Sequence, residues 1–160
     1  MKVTRILLCI SCVAAFTLGA GRSAFAEDEH HHHAAGEPKK LSLDHGKKWA
    51  TDEPLRANMT AIRTALAEKK EGIHHGTLAP DDYKTLGTTI ETRVGTIVAQ
   101  CKLEPAADAN LHVIVAELLA AADAMQGKSP TAPAAGASQA VQAVNRYGKY
   151  FEHPGWKALK

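Results

Sequence analysis

Long segments with a helical apolar period alternate along this chain with short breaks rich in proline and glycine. Leu55, Met59, Ile62, Leu66 and Ile73 recur at spacings of four, three, four and seven, one face of a 3.6-residue helix. Thr51 or Asp52 is suited to cap this helix, Pro54 fits its opening turn, and Gly72 and Gly76 end it. Pro80 opens a second pattern through Tyr83, Leu86, Ile90, Val94, Ile97 and Cys101, with Asp81 and Asp82 near its positive end. Pro105 opens a third through Leu111, Ile114, Leu118, Ala121 and Met125, stopped by Gly127. Residues 127–137 read as a Pro/Ala/Gly linker. Ser138 then caps a fourth helix whose Val141, Val144, Tyr147 and Phe151 (or Tyr150) face inward, and Pro154 ends it.

Strand signals are absent, since no β-branched alternation is bounded by turn pairs. Four helices with mostly short connections predict an all-α fold, an up-down-up-down antiparallel four-helix bundle over residues 41–160. Leu41, Leu43 and Trp49 form a lead-in that can pack on the bundle surface, and Trp156 is expected to fold back over its end.

The first residues change how charge is read. Lys2 and Arg5 precede an apolar run from Ile6 to Ala20, and Ala24-Phe25-Ala26 supplies a small-x-small cleavage pattern. Residues 1–26 are therefore expected to be a cleaved signal peptide and the protein to work in the periplasm, with no membrane segment after cleavage. Lys2, Arg5 and Arg22 leave with the signal, so the basic count falls from 19 to 16 against 17 acidic residues, and the net charge moves from +2 to −1. A near-neutral surface of mixed sign lacks the footprint that phosphate backbones require, so nucleic acid is not an expected partner. Cys9 and Cys12 also leave, and a lone Cys101 cannot form an internal disulfide. It is a buried apolar filler, a metal ligand, or a reactive or intermolecular thiol.

The predicted topology draws distant residues to one end. Met59 lies early in the first helix, Cys101 closes the second, His112 is early in the third, and His153 follows the fourth. Sulfur and imidazole together form a ligand set for copper, above all Cu(I), and then zinc. Upstream, residues 27–40 form a polar tail in which His30, His31, His32 and His33 can act as a loose chelate beside Glu27, Asp28 and Glu29. Each residue also has a plain role: Met59 and Cys101 fill a core, His112 borders it, and His153 suits a helix C-terminus.

Gly46-Lys47-Lys48-Trp49, Leu55-Arg56 with Met59, Gln100-Cys101-Lys102-Leu103, Leu111-His112 and the run from Tyr147 to Trp156 resemble a group of small exported proteobacterial proteins. That resemblance implies an exported helical bundle and names no activity. More distantly, Leu55 to Leu66 around Met59 is similar to the first helix of the periplasmic four-helix b-type cytochrome and its cytochrome c′ relatives. This likeness implies haem iron held by Met59 and His153. Pro154 disturbs the second position, and no CxxCH is present for covalent attachment.

Three readings follow for function. The first is metal capture or homeostasis in the periplasm through Met59, Cys101, His112 and His153, with the histidine tail as an accessory. The second is a structural or interaction module meeting an envelope partner, with no bound metal. The third is an electron carrier with non-covalent haem b. Each is compatible with a monomer or a dimer. No nucleophile–base pair and no phosphate loop point to an enzyme. Intact-mass measurement of the exported protein is expected to give a chain beginning at Glu27.

Overall fold

The structure, a computed structural model, describes residues 40–160. The expected signal segment and the His30–His33 tract lie outside the described residues. Five helices follow in order: α1 (Glu53–Glu68), α2 (Lys70–His75), α3 (Pro80–Gln100), α4 (Pro105–Met125) and α5 (Pro133–Tyr150). Among the described residues the all-α class holds, with only isolated bridges pairing Asp44 with Lys47 and Trp49 with Phe151.

The predicted stripes are the core. Leu55, Met59, Ile62 and Leu66 of α1, Ile90, Val94 and Ile97 of α3, and Leu111, Ile114 and Leu118 of α4 are buried together. Each such side chain, taken fully out of water, contributes about 1.5–3 kcal/mol. The long helices carry Pro54, Pro80, Pro105 and Pro133 in their opening turns, where a missing N–H leaves no helical bond unmade. Asp52 caps α1, accepting from the Leu55 N–H at 3.0 Å.

Two expected boundaries differ. The first stripe spans two helices rather than one, because the chain breaks at Lys69 (φ −109°, ψ 10°) and restarts as the short α2 carrying Ile73. The Lys69 side chain meets Asp82 at 2.8 Å, and Gly76 closes α2 in the left-handed region at φ 64°. The fourth helix begins five residues before Ser138, whose hydroxyl donates to Ala134 O inside α5 instead of capping it. Its inward face is also smaller than predicted. Gly136, Ala137, Ala140 and Ala143 join Val144 and Tyr147 in the interior, while Val141 is only partly buried. A side chain with alanine's volume keeps the period but carries little hydrophobic contrast, so the bulky valines dominate the sequence pattern.

Small residues set the helix spacing. A Cβ added at Gly136 of α5 would lie 2.7 Å from Ala124 Cβ and 2.9 Å from Ala121 O of α4. One added at Gly87 of α3 would lie 2.9 Å from Ala122 O of α4. α4 thus packs against both α3 and α5, and α1 packs against α3 and α5 in turn.

Past α5 the chain stays ordered without helix. The Trp49 N–H donates to Tyr150 O and the Glu152 N–H to Trp49 O, joining the lead-in to the end of α5. Trp156 lies against Gly148 and edge-on to Tyr147. Asn145 grips the backbone of Leu159 on both sides, accepting from its N–H at 2.7 Å and donating to its carbonyl at 2.8 Å.

Gly136→Ala is expected to destabilise the fold by about 1–3 kcal/mol through overpacking. Gly95→Ala, in the exposed middle of α3 with nothing within 4 Å of the new methyl, is expected to stabilise it by about 0.5–1 kcal/mol. Urea unfolding of the two variants measures both.

Candidate functional site

Asp52 organises the end of the molecule where Cys101 lies. One carboxylate oxygen caps α1, and the other accepts from the Lys102 N–H at 2.7 Å, tying the start of α1 to the turn after α3. The Cys101 thiol lies within electrostatic reach of the same carboxylate. Burial pushes the Asp52 carboxyl up, but the bonds from Lys102 and Leu55, with the Cys101 thiol nearby, outweigh it and hold it below the usual carboxylate range. Burial and then the Asp52 charge push the Cys101 thiol up to about 12. At neutral pH this thiol is protonated and a weak nucleophile.

Cys101 faces two surroundings. Outward, it lines a cleft of about 230 Å³ between α3 and α4 with Ile97, Val98, Asp108, His112 and Val115. There His112 Nδ1 donates to the Asp108 carbonyl at 2.9 Å and lies 3.3 Å from that residue's carboxylate. A carbonyl can only accept, so in the neutral ring the lone pair belongs to Nε2. Metal-binding histidines are commonly oriented in this way by a bond at the other nitrogen.

Inward, Cys101, Asp52 and Arg56 lie within electrostatic reach of the Tyr147 hydroxyl, whose ionisation is pushed above its ordinary value chiefly by burial. That hydroxyl shares a 3.0 Å hydrogen bond with His153 Nδ1, and Thr60 Oγ1 lies 3.3 Å from His153 Nε2. Both ring nitrogens of His153 are thus engaged by hydroxyls, with the Trp156 ring centred 4.7 Å away. Burial, and then Arg56, lowers the His153 pKa.

No family model matches this chain, and neither a curated protein nor a solved structure is significantly similar to it.

The four expected donors are therefore placed unequally. Cys101 and His112 share one cleft. Met59 is sealed in the apolar core, and from that turn of α1 it is Thr60, not Met59, that reaches His153. His153 belongs to the tyrosine network on the other side of Cys101. Among the described residues, no three His, Cys, Asp or Glu side chains are grouped to hold a metal ion. Sequence reasoning assigns Asp52 a capping role alone and misses its second bond, because the Lys102 N–H is fifty residues away. The Tyr147–His153 pairing has a local signal: Pro154 stops the helix and lets the chain double back onto α5.

A lowered His153 pKa ties stability to pH. Below its ordinary value of 6.5 the unfolded chain takes up a proton before the folded one does. The stabilisation held by neutral His153 is complete above that value and is lost as pH falls through the folded pKa. The melting temperature is expected to drop between pH 7 and pH 5. His153→Gln, which cannot titrate, is expected to show a shallower drop in the same scan.

Proposed function

We propose that this chain is an exported four-helix bundle of the up-down-up-down type that holds a soft metal ion, copper first and zinc second, at Cys101 and His112. Several contacts support the antiparallel arrangement. Gly87, early in α3, meets Ala122, late in α4, and Gly136, early in α5, meets Ala121 and Ala124 of α4. Glu91 of α3 is bonded to Gln126 and Lys128, beyond the end of α4. Sequential neighbours joined by short turns pack in this way. The expected export signal and periplasmic location, and the likeness to small exported bundle proteins, agree with this reading and form part of the proposal.

The observation that carries the metal reading is the shared cleft. A thiol and an imidazole with an available Nε2 line it together, although α3 and α4 deliver them from separate segments. Sulfur and imidazole suit Cu(I), and both also suit Zn(II). Met59 and His153 do not enter this minimal site, and the His30–His33 tract serves as a separate, looser chelate. Because the thiol holds its proton up to about 12, a cation at Cys101 must displace it. Apparent affinity is then expected to rise by about tenfold per pH unit through the neutral range.

A second reading, an interaction module without metal, is favoured by one observation: Val98, beside the cleft, is 67% exposed. Thermal unfolding of reduced protein with Cu(I), Cu(II) and Zn(II) separates the two. A cation at a hundred times its Kd raises stability by about 2.7 kcal/mol. That gain is expected to persist when the four tail histidines are replaced by alanine and in Met59→Leu, and to vanish in Cys101→Ser and His112→Gln. An absence of both metal retention and thermal shift leaves the interaction module standing.

A further inference from the structure

Past α5 the run His153-Pro154-Gly155-Trp156 makes a tight turn. The Trp156 N–H donates to His153 O at 3.0 Å, with Gly155 in the left-handed region at φ 76° directly after Pro154. Proline followed by a glycine of positive φ is what a type II turn requires. This turn is the middle of a short loop, residues 153–158, that is pinned at both ends. Before it, the Glu152 N–H donates to Trp49 O, and Glu152 O accepts from Thr51 Oγ1 at 2.6 Å. After it, Asn145 holds Leu159 on both sides. Between these pins the loop lies against Tyr147, which is fully buried.

Three side-chain contacts among the described residues hold the loop down. Trp156 sits on Gly148, where an added Cβ would collide with Cδ1 and Nε1 of the indole. That seat is one of shape, since among the described residues the buried Trp156 Nε1–H meets no acceptor. Arg63 of α1 donates to Lys157 O, with its Cζ 5.9 Å from the centroid of the Trp156 ring. The third contact is His153, which bridges Tyr147 of α5 and Thr60 of α1.

A proton on His153 breaks that bridge. In either tautomer the neutral ring donates at one nitrogen and accepts at the other, so it satisfies both hydroxyls. The imidazolium only donates, and one hydroxyl loses its acceptor. The surroundings also repel the added charge. Lys47 and Lys48 of the lead-in line the same surface cleft, about 510 Å³, as His153. Arg56 of α1 acts on the ring from the bundle side, and Arg63 adjoins the Trp156 ring packed on it. Among the described residues none of these four cations is paired with a carboxylate. Lys48 and Arg56 donate to the carbonyls of Gly148 and Thr51 instead. Opposing them in the cleft is the Glu152 carboxylate. Asp52, whose charge reaches Tyr147, is taken up by the Leu55 and Lys102 N–H groups. The lowered pKa of His153 agrees with this balance.

We propose that residues 153–158 form a lid released by acid: a proton on His153 lifts the Trp156 turn off α5 and uncovers Tyr147, while both pins and the bundle hold. The device uses neither Cys101 nor His112, so it is independent of the metal reading.

Amide hydrogen exchange followed by NMR on the full chain, from pH 7 to pH 5 and corrected for intrinsic rates, tests the lid residue by residue. In the open loop His153 takes up its proton near the ordinary value of 6.5, and in the closed loop only at lower pH. The opening constant read at the Trp156 N–H is therefore expected to rise by up to about tenfold per pH unit below 6.5. The Glu152 and Leu159 amides and the cores of α1 and α5 are expected to stay protected. In His153→Gln the opening at Trp156 is expected not to respond to pH. In Gly148→Ala, whose methyl takes the indole's seat, the lid is expected to be open already at pH 7 with helical circular dichroism retained. An opening constant at Trp156 that is the same at pH 7 and pH 5 overturns the proposal, as does a pH response that survives in His153→Gln. Joint loss of protection at Trp156, Leu159 and the helix cores makes the event unfolding of the whole bundle and overturns the lid. A Gly148→Ala variant as protected at Trp156 as the parent overturns the assigned seat.

Discussion

Every long helix among the described residues has an apolar stripe that is stable only when other stripes close over it. Leu55, Ile90, Ile114 and Val144 come from four different helices and are each fully withdrawn from water. The distance at which the helices can meet is set by backbone rather than by side chains. Gly87 and Gly136 leave no room for a methyl group, so α4 lies deep between α3 and α5. That seating leaves the opposite side of α4 uncovered, and it determines which residues line the cleft beside Cys101.

The ends of the helices are held by hydrogen bonds rather than by apolar contact. Asp52 draws the turn after α3 onto the start of α1, and in doing so it surrounds the Cys101 thiol with acceptor charge. Burial, and after it the same carboxylate that stabilises the fold, suppresses the thiol's acidity.

The stripes are legible in the sequence because large apolar residues at intervals of three and four line one side of a helix and fit no strand. The proline starts of α3 and α4 and the glycine close of α2 are legible for similar reasons. What the pattern conceals is carried by small residues and by long-range bonds. Alanine faces both core and solvent without altering the period, so the true inner face of α5 is hidden behind Val141. The interruption at Lys69 follows no breaker in the sequence. At the site, helix order brings Cys101 and His112 to one cleft as topology suggests, but a position early in α1 does not say which way its side chain points. Met59 turns to the core, and its neighbour Thr60 takes the contact with His153. Which member of a helical turn faces a given neighbour depends on rotation about the helix axis, and that is fixed by packing alone.

The grip of Asn145 on Leu159 has a practical corollary for anyone handling this protein. The final residues are seated by backbone bonds and by a nearly covered leucine, so they belong to the folded body rather than to a loose tail. Trimming them would unfasten the segment that covers Tyr147 with Trp156. An affinity handle is therefore better joined ahead of Leu41 than after Lys160.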